Sequence, residues 1–116
     1  MKKLVLLVDD EEIIRLTSGE IFEELGFDVI TAATGNEALE IFKTRMDDIT
    51  LVFLDMSLPD FSGIELYNLM KKISNKTKFL LTSGYRQDMT GADSNAVFIQ
   101  KPYTITELTG RLNQLV

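Results

Sequence analysis

Few side chains in this 116-residue chain can do chemistry, and their types narrow the options before any fold is considered. There is no histidine and no cysteine. Thiolate nucleophiles, disulfides, the commonest general base and the commonest metal ligand are therefore absent. What stands out is a set of polar residues at the ends of short apolar runs. Asp9 and Asp10 follow Leu4–Val8, Asp55 follows Ile49–Leu54, Ser83 closes Phe79–Thr82, and Lys101 comes just after Ala96–Ile99. Gathered in one place, three carboxylates would repel by roughly 4 kcal/mol per pair at about 4 Å and an effective dielectric near 20. They must hold protons or share a cation. Hard oxygen ligands, few in number and with room for water, suit Mg²⁺, or Mn²⁺ in its place, better than a caged Ca²⁺. With a cation, Lys101 and Ser83 each holding one oxygen, a phosphoryl group on Asp55 would receive the charge stabilisation that phosphoryl transfer mainly needs.

Whether these residues meet depends on the elements that carry them. Leu4–Val8 reads as a strand buried on both faces. Asp28–Ala33, Ile49–Leu54, Phe79–Thr82 and Ala96–Ile99 read as four more. Helices fill the gaps between them. Ile14, Ile21 and Leu25 recur at helical spacing behind Asp9 and Asp10, either of which can cap the helix, and Gly26 sits where a helix stops. Thr34–Glu37, Ser62–Glu65 and Thr104–Glu107 are capping-box patterns. They open helices with the apolar faces Ala38, Ile41 and Phe42; Leu66, Leu69, Met70 and Ile73; and Ile105, Leu108, Leu112 and Leu115. Gly110, inside the last of these, costs about 1 kcal/mol relative to alanine. Residues 86–95 are polar, include Gly91, and support at most a short helix. This alternation implies a parallel sheet covered on both faces, with right-handed crossovers. In such sheets the ligand site lies at the carboxyl ends of the strands, which is where every residue singled out above would converge.

Each residue also has an unremarkable explanation. Asp9 or Asp10 alone is a helix cap, Asp55 alone a turn former ahead of Pro59, Ser83 a strand-end residue, Lys101 a solvated surface charge and Phe98 a core residue. Their conjunction at one sheet edge has no such explanation.

The conjunction resembles the receiver domain of two-component response regulators, over the whole chain. The matching elements are Val8-Asp9-Asp10-Glu11, Leu54 to Asp60 with Pro59 and then Gly63, Thr82-Ser83-Gly84, and Lys101-Pro102. The resemblance implies one receiver domain over residues 1–116, a flavodoxin-like, doubly wound sheet of five parallel strands in the order 2-1-3-4-5, and a short fourth helix. It implies that Asp55 accepts a phosphoryl group from a phosphohistidine, and that the domain catalyses both its own phosphorylation and its dephosphorylation. It implies Mg²⁺ held by Asp10 and Asp55, by the Ser57 carbonyl, and by Asp9 largely through water. Lys101 would contact the phosphoryl group, with a cis bond to Pro102. Ser83 matches the switch hydroxyl, chosen over Thr82 because a small residue, Gly84, follows it, and Phe98 matches the aromatic that moves inward with it. Phe98 lacks the hydroxyl of the tyrosine frequent there. Ser57 and Tyr85 occupy positions at which the family tunes access of hydrolytic water. The short fourth helix and the Phe98-to-Tyr103 ending are more narrowly similar to receivers of hybrid sensor histidine kinases.

Composition sets the remaining expectations. A net charge of −6 disfavours direct nucleic-acid binding. No apolar run approaches a membrane span and the start lacks a signal-peptide pattern, so a cytoplasmic protein is expected. Lacking histidine, the chain needs a histidine kinase, a histidine phosphotransfer domain or a small acyl phosphate as donor, and no output segment follows Val116, so a partner reads the result. Two other functions fit parts of the pattern. An aspartyl phosphatase would share the Mg²⁺ chemistry, but such enzymes usually carry a second acid where Ser57 stands. A flavodoxin-type binder would need a phosphate cradle where Asp9-Asp10-Glu11-Glu12 stands, and those acids repel phosphate. A degenerate receiver acting only as a docking surface would not need the full set of acids, hydroxyl and lysine.

Overall fold

The computed structural model describes residues 3–84 and 96–115. Five strands, β1 (Lys3–Val8), β2 (Phe27–Ala32), β3 (Ile49–Asp55), β4 (Lys78–Ser83) and β5 (Val97–Gln100), form one parallel sheet in the order β2-β1-β3-β4-β5. Among the described residues four helices, α1 (Glu12–Glu24), α2 (Gly35–Arg45), α3 (Gly63–Ile73) and α4 (Ile105–Leu115), cover its faces. The short helix expected within residues 86–95, and Tyr85 before it, lie outside the described residues. None of the described helices is long and apolar enough to cross a membrane.

Continuous apolar strands make sense in a sheet buried on both faces. Leu4, Leu6 and Val8 of β1 point into one core with Val52, Leu54, Leu81, Phe42, Leu66 and Met70. Val5 and Leu7 point into the other, with Phe22, Phe53, Leu80, Leu108 and Leu112. Each such side chain contributes roughly 1.5–3 kcal/mol on full burial. Phe53 meets Phe22 edge-on, and Tyr67 meets Phe79 in the same way, so each face has an aromatic contact as well as aliphatic packing.

Local chemistry sets most element ends. Gly26 takes φ +96° just beyond α1, a conformation open to glycine. Thr34 accepts the Glu37 N–H at 3.1 Å, and Glu37 reaches back to Ala33 N–H. Thr104 and Glu107 close the full reciprocal box ahead of α4. Several expectations need correction. Ser62 stands at the cap position of α3 but its side chain makes no cap bond. The Gly63 amide turns back to the Met56 carbonyl, and Ser57 and Ser62 pair as an isolated bridge. Neither Asp9 nor Asp10 caps α1, whose cap position is Glu11; Asp9 Oδ1 accepts the Glu11 N–H instead. The buried face of α1 also differs from the expected stripe. Ser18, Gly19 and Phe22 face the sheet, whereas Leu25 is exposed, because the small Ser18 and Gly19 let the helix lie close to the strands. Leu69 and Ile105 are likewise exposed. Nothing lies within 4 Å of a Cβ built at Gly110, and nothing in the structure explains that glycine.

Candidate functional site

The carboxyl ends of β1, β3, β4 and β5 bring the candidate residues to one edge of the sheet. Asp55 is the last residue of β3 and Ser83 of β4; Asp9 and Lys101 come directly after β1 and β5. Asp9 and Asp55 are buried while Asp10 is exposed, and each offers a carboxylate oxygen within 4.8 Å of the other two. A compact set of hard oxygen donors with one side open fits a divalent cation that keeps part of its water.

The fixed positive charge is Lys101. Its Nζ donates to Asp9 Oδ2 at 2.9 Å and to Asp55 Oδ2 at 3.3 Å, with Glu11 Oε1 at 3.9 Å. Burial disfavours the Lys101 ammonium, yet Asp9 and Asp55 outweigh it and hold its pKa above that of an ordinary lysine. Burial pushes the Asp55 carboxyl above its usual range, against the pull of the Ser57 N–H and of Lys101. That N–H donates to Asp55 Oδ1 at 2.9 Å, so the two carboxylate oxygens are oriented separately, one by Ser57 and one by Lys101.

Ser83 is fully buried, with its Oγ 3.4 Å from Ser57 Oγ. The neighbouring Thr82 Oγ1 is also buried but has no hydrogen-bond partner among the described residues. Phe98 is half-buried against the α2–α3 core, and its carbonyl accepts Arg111 Nε–H at 2.9 Å. The Lys101–Pro102 peptide bond is cis.

The β3–α3 loop folds back on the site through two close approaches. A Cβ at Gly63 would stand 2.3 Å from Met56 Cα, and one at Gly35 would stand 2.5 Å from the Phe61 ring. Asp60 accepts the Gly35 and Asn36 N–H groups at 2.8 and 2.9 Å, pinning the loop to the start of α2. Asn36 first, with Gly35, holds the Asp60 carboxyl below the usual carboxylate range.

Sequence reasoning placed Asp9, Asp10, Asp55, Ser57, Ser83 and Lys101 together, and the fold brings them together. It did not reach three supporting contacts: Asp60 on α2, Arg15 Nη1 on the Asp9 carbonyl at 2.8 Å, and Tyr103 with Ser18, hydroxyl to hydroxyl at 2.6 Å and 85 residues apart. A carboxylate one residue after Pro59 and a phenol after Pro102 were the signals available, and neither names its partner.

Known proteins are similar to this chain in sequence and in fold. The family model for the response regulator receiver domain matches residues 5–113. Sporulation initiation phosphotransferase F of Bacillus subtilis is 32% identical over 112 residues, covering 93% of this chain and 89% of that protein. Sensor kinase CckA of Brucella abortus is 30% identical over 97% of this chain, which spans only 12% of that protein's length. Several transcriptional regulators match over about half their length, such as PhoP of Bacillus subtilis, at 31% identity over 49% of it. Among solved structures, the response regulator TrrA of Thermotoga maritima in complex with Mg²⁺ and beryllofluoride superposes with a TM-score of 0.87 at 31% identity, over 98% of this chain and 99% of that one. A receiver domain from Methylobacillus flagellatus gives a TM-score of 0.89 at 28% identity, over the full length of both. With strand order, strand-end residues and family match in agreement, the chain belongs to the receiver domains of two-component response regulators.

Proposed function

We propose that Asp55 is the phosphoacceptor of this receiver and that residues 1–116 act as one phosphorylation-controlled switch. The observation that carries the reading is the shared grip on Asp55: its Oδ1 is held by the Ser57 N–H and its Oδ2 by Lys101, beside Asp9 and Asp10. A carboxylate so oriented can attack phosphorus. The bond from phosphorus to the donor's imidazole nitrogen breaks as the bond to the Asp55 oxygen forms. Lys101 then contacts the phosphoryl oxygens it is already placed to reach. Mg²⁺, or Mn²⁺ in its place, would be held by Asp10, Asp55 and the Ser57 carbonyl, with Asp9 acting through water; when bound it neutralises phosphoryl charge and allows the acids to remain ionised together. The Mg²⁺ complex of the Thermotoga maritima regulator supports that choice of ion.

Ser83 is the switch hydroxyl in this reading and Phe98 the aromatic that follows it. Ser83 is buried within reach of the site, whereas the Thr82 hydroxyl has no hydrogen-bond partner among the described residues. The domain is a signalling switch that catalyses its own phosphorylation and dephosphorylation, not an enzyme acting on a separate substrate. Its donor is a histidine kinase or histidine phosphotransfer domain, and a partner protein or domain reads the result. Ile13 and Leu16 on α1 and Ile105 on α4 are exposed apolar residues available to such partners. The acidic surface charge argues against direct binding of nucleic acid. A cytoplasmic setting, where kinases and acyl phosphates meet it, completes the reading.

The test is incubation with a small acyl phosphate and Mg²⁺, followed by intact-mass measurement. The protein should gain one phosphoryl group, and Asp55→Asn should gain none. An identical gain in Asp55→Asn removes Asp55 from its role.

A further inference from the structure

The Lys101 ammonium is useful only where its Nζ lands, and β5 ends one residue before it. Contacts beyond the strand fix the segment. The Lys101 N–H donates to the Ser83 carbonyl at 2.9 Å. Two residues on, the Tyr103 ring stands edge-on to Phe53 of β3, with centroids 5.7 Å apart. The Tyr103 hydroxyl lies 2.6 Å from Ser18 Oγ on the buried face of α1. Burial raises the phenol above its usual pKa, so it stays neutral and able to share this hydrogen bond throughout the physiological range.

The same helix holds the opposing acid. Arg15, three residues before Ser18 and so on the same side of α1, donates to the Asp9 carbonyl. One turn of α1 therefore grips both partners of the Lys101–Asp9 pair, Arg15 from the acid's side and Ser18 from the lysine's. The ring alone would keep Tyr103 packed on Phe53. The hydroxyl adds a directional tie between its loop and α1, and without it the buried Ser18 Oγ would lose its tyrosine partner.

We propose that Tyr103, through its hydrogen bond to Ser18, is a positioning residue for Lys101, setting where the ammonium stands relative to Asp9 and Asp55. The claim rests on the reading of Lys101 as the phosphoryl contact, and its test keeps the two separable. Phosphorylation by a small acyl phosphate is followed at saturating Mg²⁺ in the wild type, Tyr103→Phe, Ser18→Ala, Lys101→Ala and the double variants. Tyr103→Phe and Ser18→Ala should each slow transfer by about three- to tenfold, part of the ~10²-fold that a 1 Å misplacement can cost. Their combination should be no slower than either, and Mg²⁺ affinity should stay within about twofold. In the Lys101→Ala background Tyr103→Phe should have no further effect. The Lys101 ¹⁵Nζ resonance of the untreated protein should shift in Tyr103→Phe.

A wild-type rate in Tyr103→Phe, where Lys101→Ala is slow, overturns the proposal. So does a slowing of the same size in the Lys101→Ala background, which would mean that the hydroxyl acts through the fold at large. Should Lys101→Ala itself react at the wild-type rate, the phosphoryl role of Lys101 fails. The positioning claim is then decided by the ¹⁵Nζ resonance: a shift in Tyr103→Phe supports it and an unmoved resonance overturns it.

Discussion

Gly63→Ala should damage both stability and phosphoryl transfer through a single contact. The added Cβ would stand 2.3 Å from Met56 Cα, 2.7 Å from its carbonyl oxygen and 2.8 Å from its carbonyl carbon. Carbons in ordinary contact are about 3.5–4.0 Å apart, so Met56 or the first turn of α3 must retreat by about 1.2 Å or more. All three obstructing atoms are backbone, so no rotamer change relieves them. Met56 lies between Asp55 and Ser57, and its N–H donates to the Thr82 carbonyl at 2.8 Å. Its displacement therefore carries the proposed nucleophile and the amide that orients it. Overpacking of this kind costs about 1–3 kcal/mol, or about 4–12 °C in melting temperature for a domain of this size. A shift of about 1 Å at the attacking carboxylate costs up to ~10²-fold in rate. Far-UV circular dichroism melting and the acyl-phosphate reaction measure the two effects. Gly110→Ala is the control, because nothing lies within 4 Å of a Cβ there; it should gain up to about 1 kcal/mol and react normally. A Gly63→Ala protein with wild-type melting and rate would refute the argument that this close approach fixes Asp55.

Asp10→Asn should weaken Mg²⁺ binding by at least about tenfold and raise the melting temperature of the metal-free protein, since one of three clustered charges goes; unchanged Mg²⁺ affinity in titration calorimetry would remove Asp10 from the ligand set. Thr82→Val should stabilise the domain by about 1 kcal/mol, because a buried hydroxyl without a partner among the described residues is replaced by a methyl of the same shape, and should leave phosphorylation intact; a loss of stability in denaturant titration would mean that the hydroxyl is satisfied. Asp60→Asn should destabilise at neutral pH. The folded pKa of Asp60 is depressed, so its contribution is full above the unfolded value of about 3.9 and is lost as pH falls through the folded one. The stability gap between wild type and Asp60→Asn should therefore close in acid, and a gap constant down to the acid limit would contradict the charge-assisted clamp.

The parts legible in the sequence were those whose signal is local. An apolar run that stops at an acid or a hydroxyl marks a strand end, and parallel topology then brings Asp9, Asp55, Ser83 and Lys101 to one edge. Thr34 and Thr104 also announced their helices, because a capping box is complete within a few residues. Ser62 carries the same pattern, yet its side chain makes no cap bond, and the fold-back that takes the Gly63 amide to the Met56 carbonyl is written in no local pattern. The strand order itself came from resemblance to the receiver family, not from periodicity. In α1, helical spacing offered Leu25 as a core residue, but the approach of the helix to the sheet turned Ser18, Gly19 and Phe22 inward and left Leu25, Ile13 and Leu16 outside. The supporting shell was the least legible part. Asp60 meets α2 across 25 residues and Tyr103 meets Ser18 across 85, and no local pattern encodes a partner at that distance.

The central claim is that the phosphoryl group is written on Asp55. The most direct measurement is borohydride trapping after reaction with a small acyl phosphate and Mg²⁺, followed by peptide mass mapping. An aspartyl phosphate is reduced to homoserine, which marks the residue that carried it. Homoserine at position 55, with Asp9 and Asp10 recovered unchanged, is the expected result. Homoserine at position 9 or 10, or phosphate incorporation without homoserine at 55, would contradict it.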